Sequence, residues 1–187
     1  MLVLKIVSNE VLEGIIKVIP IILGGRMMPL DRLIEITSII VTVGLVVWLV
    51  PKNKIKDATV IFLFKQTVTW ILGLIVVEWN LIEYPTRFLP NATKSSLTFE
   101  YLVYPGICVL FNLFYPEKTS SLRQLTHYAV YTSGISGFEV ILEKYTNTII
   151  YIQWAWYWTW ITIFLTFLTS RFFYRWFRGD FSNTKIA

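Results

Sequence analysis

Glu78, Glu100 and Glu139 each stand within or directly against a different long apolar run of this chain. A carboxylate among apolar neighbours is costly. Three of them at similar depth on separate helices would attract a cation or a proton, as ion sites inside membranes do. The competing destination is the headgroup level, where each acid is hydrated or paired with Arg87, Lys94 or Lys144. Gln153, Trp156, Tyr157 and Trp160 fall within an arc of about 100° if their segment is helical, and ring faces on such an arc can hold a cation. These seven residues form the candidate ligand-binding set, as an acidic and aromatic cavity open to the outside. Lys65 and Gln66, on one face with Thr69 and Gly73, are a candidate polar pathway. A lysine placed that deep costs about 3 kcal/mol unless it snorkels, here toward Asp57, or finds a partner.

The elements that must position these residues are five apolar runs: 33–50, 58–77, 97–115, 125–142 and 148–168. A hydrocarbon core of about 30 Å takes about 20 helical residues to cross, so each run reads as a spanning helix. The predicted fold class is all-α, a polytopic membrane helix bundle of five spans. With 55% apolar residues, 16% charged residues and a mean hydropathy of +0.59, too little chain remains outside the runs for a soluble catalytic domain. The net charge of +5 forms no basic patch on a soluble surface, so nucleic acid is not an expected partner; the lipid bilayer is.

The chain divides into an N-terminal amphipathic segment (1–30), the bundle (31–170) and a basic tail (171–187). In the first segment Lys5, Asn9, Glu13 and Lys17 line one face opposite Leu4, Val11, Leu12, Ile15 and Ile19. That pattern suits a helix lying along the membrane surface. A sixth, poorly apolar span is the alternative, and the charges within the segment argue against a cleaved signal peptide. Orientation follows the basic residues. Placing Arg171, Arg175, Arg178 and Lys185 inside also puts Lys52, Lys54, Lys56, Lys118 and Arg123 inside, nine in all against the five left outside, Arg26, Arg32, Arg87, Lys94 and Lys144. The C-terminus is therefore expected to be cytoplasmic and the 80–96 loop external.

Motifs for enzymatic chemistry are weak. Gly134-Ile135-Ser136-Gly137 resembles the nucleophile motif of rhomboid intramembrane proteases, but such a serine needs a histidine base from another helix. His127 lies nine residues away on the same run, about 13 Å along the axis. The small residues Ser133 and Gly137 instead predict close helix packing. One histidine and one cysteine, Cys108, supply neither a pair of haem ligands nor an evident metal site, so no cofactor is expected. No phosphate-binding Gly-x-x-x-x-Gly-Lys loop is present. Asn91-Ala92-Thr93 reads as a turn before it reads as a glycosylation site.

The segments Leu81-Ile82-Glu83-Tyr84-Pro85, Phe88-Leu89-Pro90-Asn91, Phe99-Glu100-Tyr101 with Tyr104-Pro105, Phe111-Asn112-Leu113-Phe114-Tyr115-Pro116 and Trp154-Ala155-Trp156-Tyr157-Trp158-Thr159-Trp160 resemble small polytopic membrane proteins of spore-forming Bacillus-type bacteria. The likeness covers about 58–178. It implies a bacterial cytoplasmic membrane and carries no assigned activity. Two functions follow from the helices themselves: a binding or transport component for a small solute or cation, or a non-enzymatic scaffold that modulates a membrane-protein partner.

Overall fold

The structure is a computed structural model, and it describes residues 30–180. The expected N-terminal amphipathic helix and the end of the basic tail, including Lys185, lie outside the described residues.

The described chain is all-α apart from one short strand pair. Helix α1 is Leu30–Leu49 and α2 is Ile55–Glu78, joined by a 3-10 turn at Lys52–Lys54. A π-helical turn, Phe99–Val103, leads into α3, Tyr104–Leu113. Helices α4 (Ser121–Tyr145) and α5 (Trp156–Phe177) complete the bundle. Pro51 ends α1, and the Ser120 side chain caps α4 by accepting from the Arg123 N–H. All five expected runs contain helix. Among the described residues only Leu30–Leu49 and Lys52–Glu78, however, are long and apolar enough to cross a membrane by length and composition, with mean hydropathies of 1.9 and 2.1. Phe99–Leu113 is apolar but short. Helix α4 carries Arg123, Glu139, Glu143 and Lys144, and α5 is rich in Trp, Tyr, Thr and Arg.

The fifth run departs most from expectation, because residues 148–155 are not helical. Ile150–Tyr151 (β2) pairs antiparallel with Ile82–Glu83 (β1), with Ile82 opposite Tyr151 and Glu83 opposite Ile150. The β-branched run Thr148-Ile149-Ile150 suits that extended backbone. At its other end α5 continues through Arg171 to Phe177, so the basic residues begin on the helix rather than in a separate tail.

The helices run between two ends. At one end Asp31 accepts from the Asn147 N–H (3.0 Å), and Glu35 accepts from the Thr98 hydroxyl (3.2 Å). At the other, Asp57 is paired with Lys54 (3.0 Å) and with the Tyr174 hydroxyl (3.0 Å), and Arg171 is paired with Glu117. Burial is distributed unusually. Polar side chains are nearly as numerous in the interior as apolar ones, while Ile40, Val47, Trp48, Leu63, Leu122, Val130, Ile141, Leu165 and Trp176 face outward. A water-soluble domain buries fewer polar side chains and exposes fewer large apolar ones.

Candidate functional site

Local geometry around Glu100 begins with a proline. Pro105 has no N–H to donate to the Tyr101 carbonyl four residues earlier, and the backbone answers with a π turn in which the Tyr104 N–H reaches back to the Phe99 carbonyl. The carbonyls of Glu100 and Tyr101 then turn toward α2. The Thr69 hydroxyl donates to the first (2.6 Å) and the Gln66 amide to the second (2.9 Å). The turn aims the Glu100 side chain at Gly73, where a Cβ would overlap its carboxylate. The acid sits against bare helix backbone because position 73 has no side chain.

Glu100 Oε1 accepts from the Tyr84 hydroxyl at 2.8 Å, and Oε2 accepts from Ser95. Glu139, on the buried face of α4, is held more completely. Its Oε2 accepts from Tyr104 (2.9 Å), and its Oε1 accepts from Tyr151 (2.7 Å) and Thr159 (2.8 Å). The Thr159 oxygen in turn accepts from the Trp154 indole N–H at 2.8 Å. Two buried carboxyl groups thus receive five hydrogen bonds from hydroxyl groups, a surrounding that suits acceptor-only carboxylate oxygens. Tyr84 lies in the loop. Burial first, and the adjacent Glu100 second, push its phenol well above the ordinary value, so it remains a donor at neutral pH.

Both acids line one cavity of about 110 Å³ between α2 and α5, with Thr69, Gly73, Tyr84, Tyr104, Trp154, Thr159 and Thr166 among its walls. That is room for a few waters or one small solute. The strand pair and the loop contribute Ile82 and Tyr84 to its wall. Two further hydrogen bonds from the Ile152 and Gln153 N–H groups to the Leu81 carbonyl (3.0 and 3.1 Å) fix the segment that carries Tyr151 and Trp154.

Of the seven candidate residues, Glu100 and Glu139 come together and the other five do not join them. Glu78 is exposed at the end of α2, and Gln153 is exposed before α5 begins. Trp156 and Tyr157 are 59% and 47% exposed on the outer surface. Trp160 turns to α4, where its indole donates to Ser133 (3.1 Å) and its ring stacks on Phe164. The late start of α5 removes Gln153 from the assumed helical arc, and the face of α5 turned to the cavity is the one carrying Thr159, Thr162 and Thr166, which leaves the rings on other faces. The hydroxyl donors lie outside the candidate set: Tyr84 is a loop residue beside a proline, and Thr159 is one of the small residues, with Ala155, Thr162 and Thr166, that a helix could equally use for close packing. Their recurrence on one face of α5 was the available signal.

Lys65 does not snorkel toward Asp57. It is 2% exposed, donates to Thr166 and lies over the Phe167 ring, 4.5 Å from its centroid. Gln66 supports the π turn and lines no part of the cavity. The expected close helix approach at Gly137 is also corrected, since a Cβ at Gly134 or Gly137 would meet nothing within 4 Å, whereas Ser133 meets α5 through the Trp160 indole. The close approach is at Gly106, where a Cβ would press on the Thr42 methyl of α1. His127 meets the Phe111 carbonyl at 3.0 Å. Among the described residues no group of three or more His, Cys, Asp or Glu side chains is arranged to hold a metal. No family model, no curated protein and no solved structure matches this chain.

Proposed function

We propose that this chain is a multi-pass protein of a cell membrane, crossing it five times with its C-terminus cytoplasmic, and that it binds a small monovalent cation from the outer side as a binding or transport component. The observation that carries this reading is the pair of buried carboxyl groups, Glu100 and Glu139, in one small cavity whose walls are otherwise hydroxyls and apolar surface. Ionised acids there compensate one another only through a positive ligand. The many exposed large apolar side chains and the polar-rich interior support the membrane setting, and the basic residues Lys52, Lys54, Lys118, Arg171, Arg175 and Arg178 at the end away from the cavity support the orientation.

A thermal titration of the purified chain in detergent tests it, with NaCl, KCl or RbCl replacing N-methylglucamine chloride at constant ionic strength. The preferred cation raises Tm by about 5 °C at saturation, and Glu100→Gln and Glu139→Gln each remove the rise. Equal Tm in all salts, or a rise kept in both variants, contradicts the proposal.

A second reading, a non-enzymatic scaffold that modulates a partner membrane protein, is favoured by the open α4 face at Gly134 and Gly137. It expects Gly137→Leu to abolish association with that partner and the two Gln variants to leave association intact.

A further inference from the structure

At the end of the bundle away from the cavity, a groove of about 680 Å³ lies between the first turns of α4, the last turns of α5 and the 114–120 loop. Helical spacing builds its α5 wall. Leu168, Arg171, Phe172 and Arg175 stand at i, i+3, i+4 and i+7, which puts them on one face, and all four line the groove. Along that face the chemistry changes from apolar at Leu168, on the side of the membrane interior, to cationic at Arg175, about 10 Å nearer the end of the helix. On α4 the deeper Tyr128 and the outer Gln124 repeat the change, and Lys118 adds a cation from the loop. Leu168 and Phe172 are exposed, so the apolar part opens sideways to the surroundings of the bundle.

Arg171 is built into the groove. It is 5% exposed, lies 4.2 Å over the Tyr115 ring, and donates to the Asn112 carbonyl (3.4 Å) and to Glu117. A guanidinium has five N–H donors, and Arg171 Nε finds no partner among the described residues. The carboxylates lining the groove are Glu117 and Asp180, and Arg178 bridges both, at 3.4 and 3.7 Å. Lys118, Arg171, Arg175 and Arg178 thus meet two carboxylates, which leaves two positive charges to be balanced by another anion. Free phosphate would balance them but leave the apolar strip uncovered, and an acyl chain alone would do the reverse. A phospholipid with an anionic headgroup satisfies both, since guanidinium groups bind phosphate oxygens in a fixed fork and basic pockets between helices on the cytoplasmic side suit such headgroups.

We infer that this groove binds one anionic phospholipid of the cytoplasmic leaflet, its phosphodiester held by Lys118, Arg171 and Arg175 and its chains lying over Leu168 and Phe172. The site rests on the membrane setting and orientation of the proposed function and uses none of the cavity residues.

The full chain, purified in a neutral detergent, is titrated with phosphatidylglycerol, phosphatidylcholine or glycerol phosphate, and occupancy is read by native mass spectrometry. One phosphatidylglycerol binds per chain, roughly tenfold or more tighter than phosphatidylcholine, and glycerol phosphate at the same concentration does not displace it. Lys118→Gln with Arg175→Gln, both at exposed positions, weakens phosphatidylglycerol by roughly tenfold or more. Lys52→Gln with Lys56→Gln removes the same charge from the same end of the bundle, outside the groove, and leaves the affinity within about twofold. Equal affinity for the two lipids, displacement by glycerol phosphate, or equal effects of the two double variants overturns the site. The same wild-type preparation is assayed for its cation-dependent Tm rise. A rise without lipid preference overturns the lipid site alone, and lipid preference without a rise overturns the cation site alone.

Discussion

Gly73 determines whether the Glu100 carboxyl can occupy its place. Because a Cβ there would overlap that carboxyl, Gly73→Ala should displace the acid, cost about 1–3 kcal/mol of stability and remove the cation-dependent Tm rise. Retention of the rise with unchanged stability would put Glu100 elsewhere. At the opposite end, Glu117 titrates in contact with Arg171. Partial burial works to raise its carboxyl, but the hydrogen bond and charge of Arg171, with Arg178 behind, hold it below the ordinary range. A carboxyl lowered in the folded state contributes stability above its unfolded value of about 4.3, and the contribution is lost as pH falls through the folded value. The Tm difference between wild type and Glu117→Gln should therefore be present at pH 6, above the unfolded value, and close as the pH is lowered past that value and through the lower folded one. A difference independent of pH would remove the ion pair as its cause. Glu100 and Glu139 were legible in the sequence because a charge within an apolar run has few inexpensive destinations. Their hydroxyl partners were not, since Tyr84, Tyr104, Tyr151 and Thr159 come from four separate segments and acquire their role only when those segments meet.

Among the elements, the π turn at Phe99–Val103 is the device that faces Glu100 toward α2, and its cause is Pro105. Gln66→Leu should leave the Tyr101 carbonyl without its donor and cost about 1 kcal/mol. Pro105→Ala restores an N–H in reach of that carbonyl, so the double variant should be less destabilised than the sum of the two single ones in thermal unfolding. Additive effects would separate Gln66 from the turn. Helix contacts follow the glycines that are crowded rather than those that match a packing motif. Gly106→Leu should destabilise the α1–α3 contact strongly, whereas Gly137→Leu should change stability by less than about 0.5 kcal/mol, both read by Tm in detergent; a large loss at Gly137 would reveal a neighbour against α4. The five helix-bearing runs were legible from apolar length. The strand at Ile150–Tyr151 was hidden because aromatic and β-branched residues satisfy an apolar run and a strand equally well, and its partner strand lies nearly seventy residues away.

Among the described residues Glu35, Glu100 and Glu139 are buried while many large apolar side chains, Val47, Trp48 and Leu63 among them, are exposed, an arrangement that suits the proposed hydrocarbon surroundings. The proposed topology puts the cavity on the outer side. With Cys108→Ala in place, Ala92→Cys in the exposed part of the loop should react with an impermeant maleimide in intact cells once any wall barrier is controlled for. Reaction only after lysis would invert the bundle and turn the cavity toward the cytoplasm. What makes the molecule a cation-binding protein in this account is the shared space between Glu100 and Glu139, and rubidium reports on that space directly. A crystal of the full chain grown in RbCl should show an anomalous difference peak inside the cavity, within about 3 Å of oxygens from both carboxyl groups. Rubidium peaks confined to the protein surface, with the cavity empty at saturating salt, would contradict it.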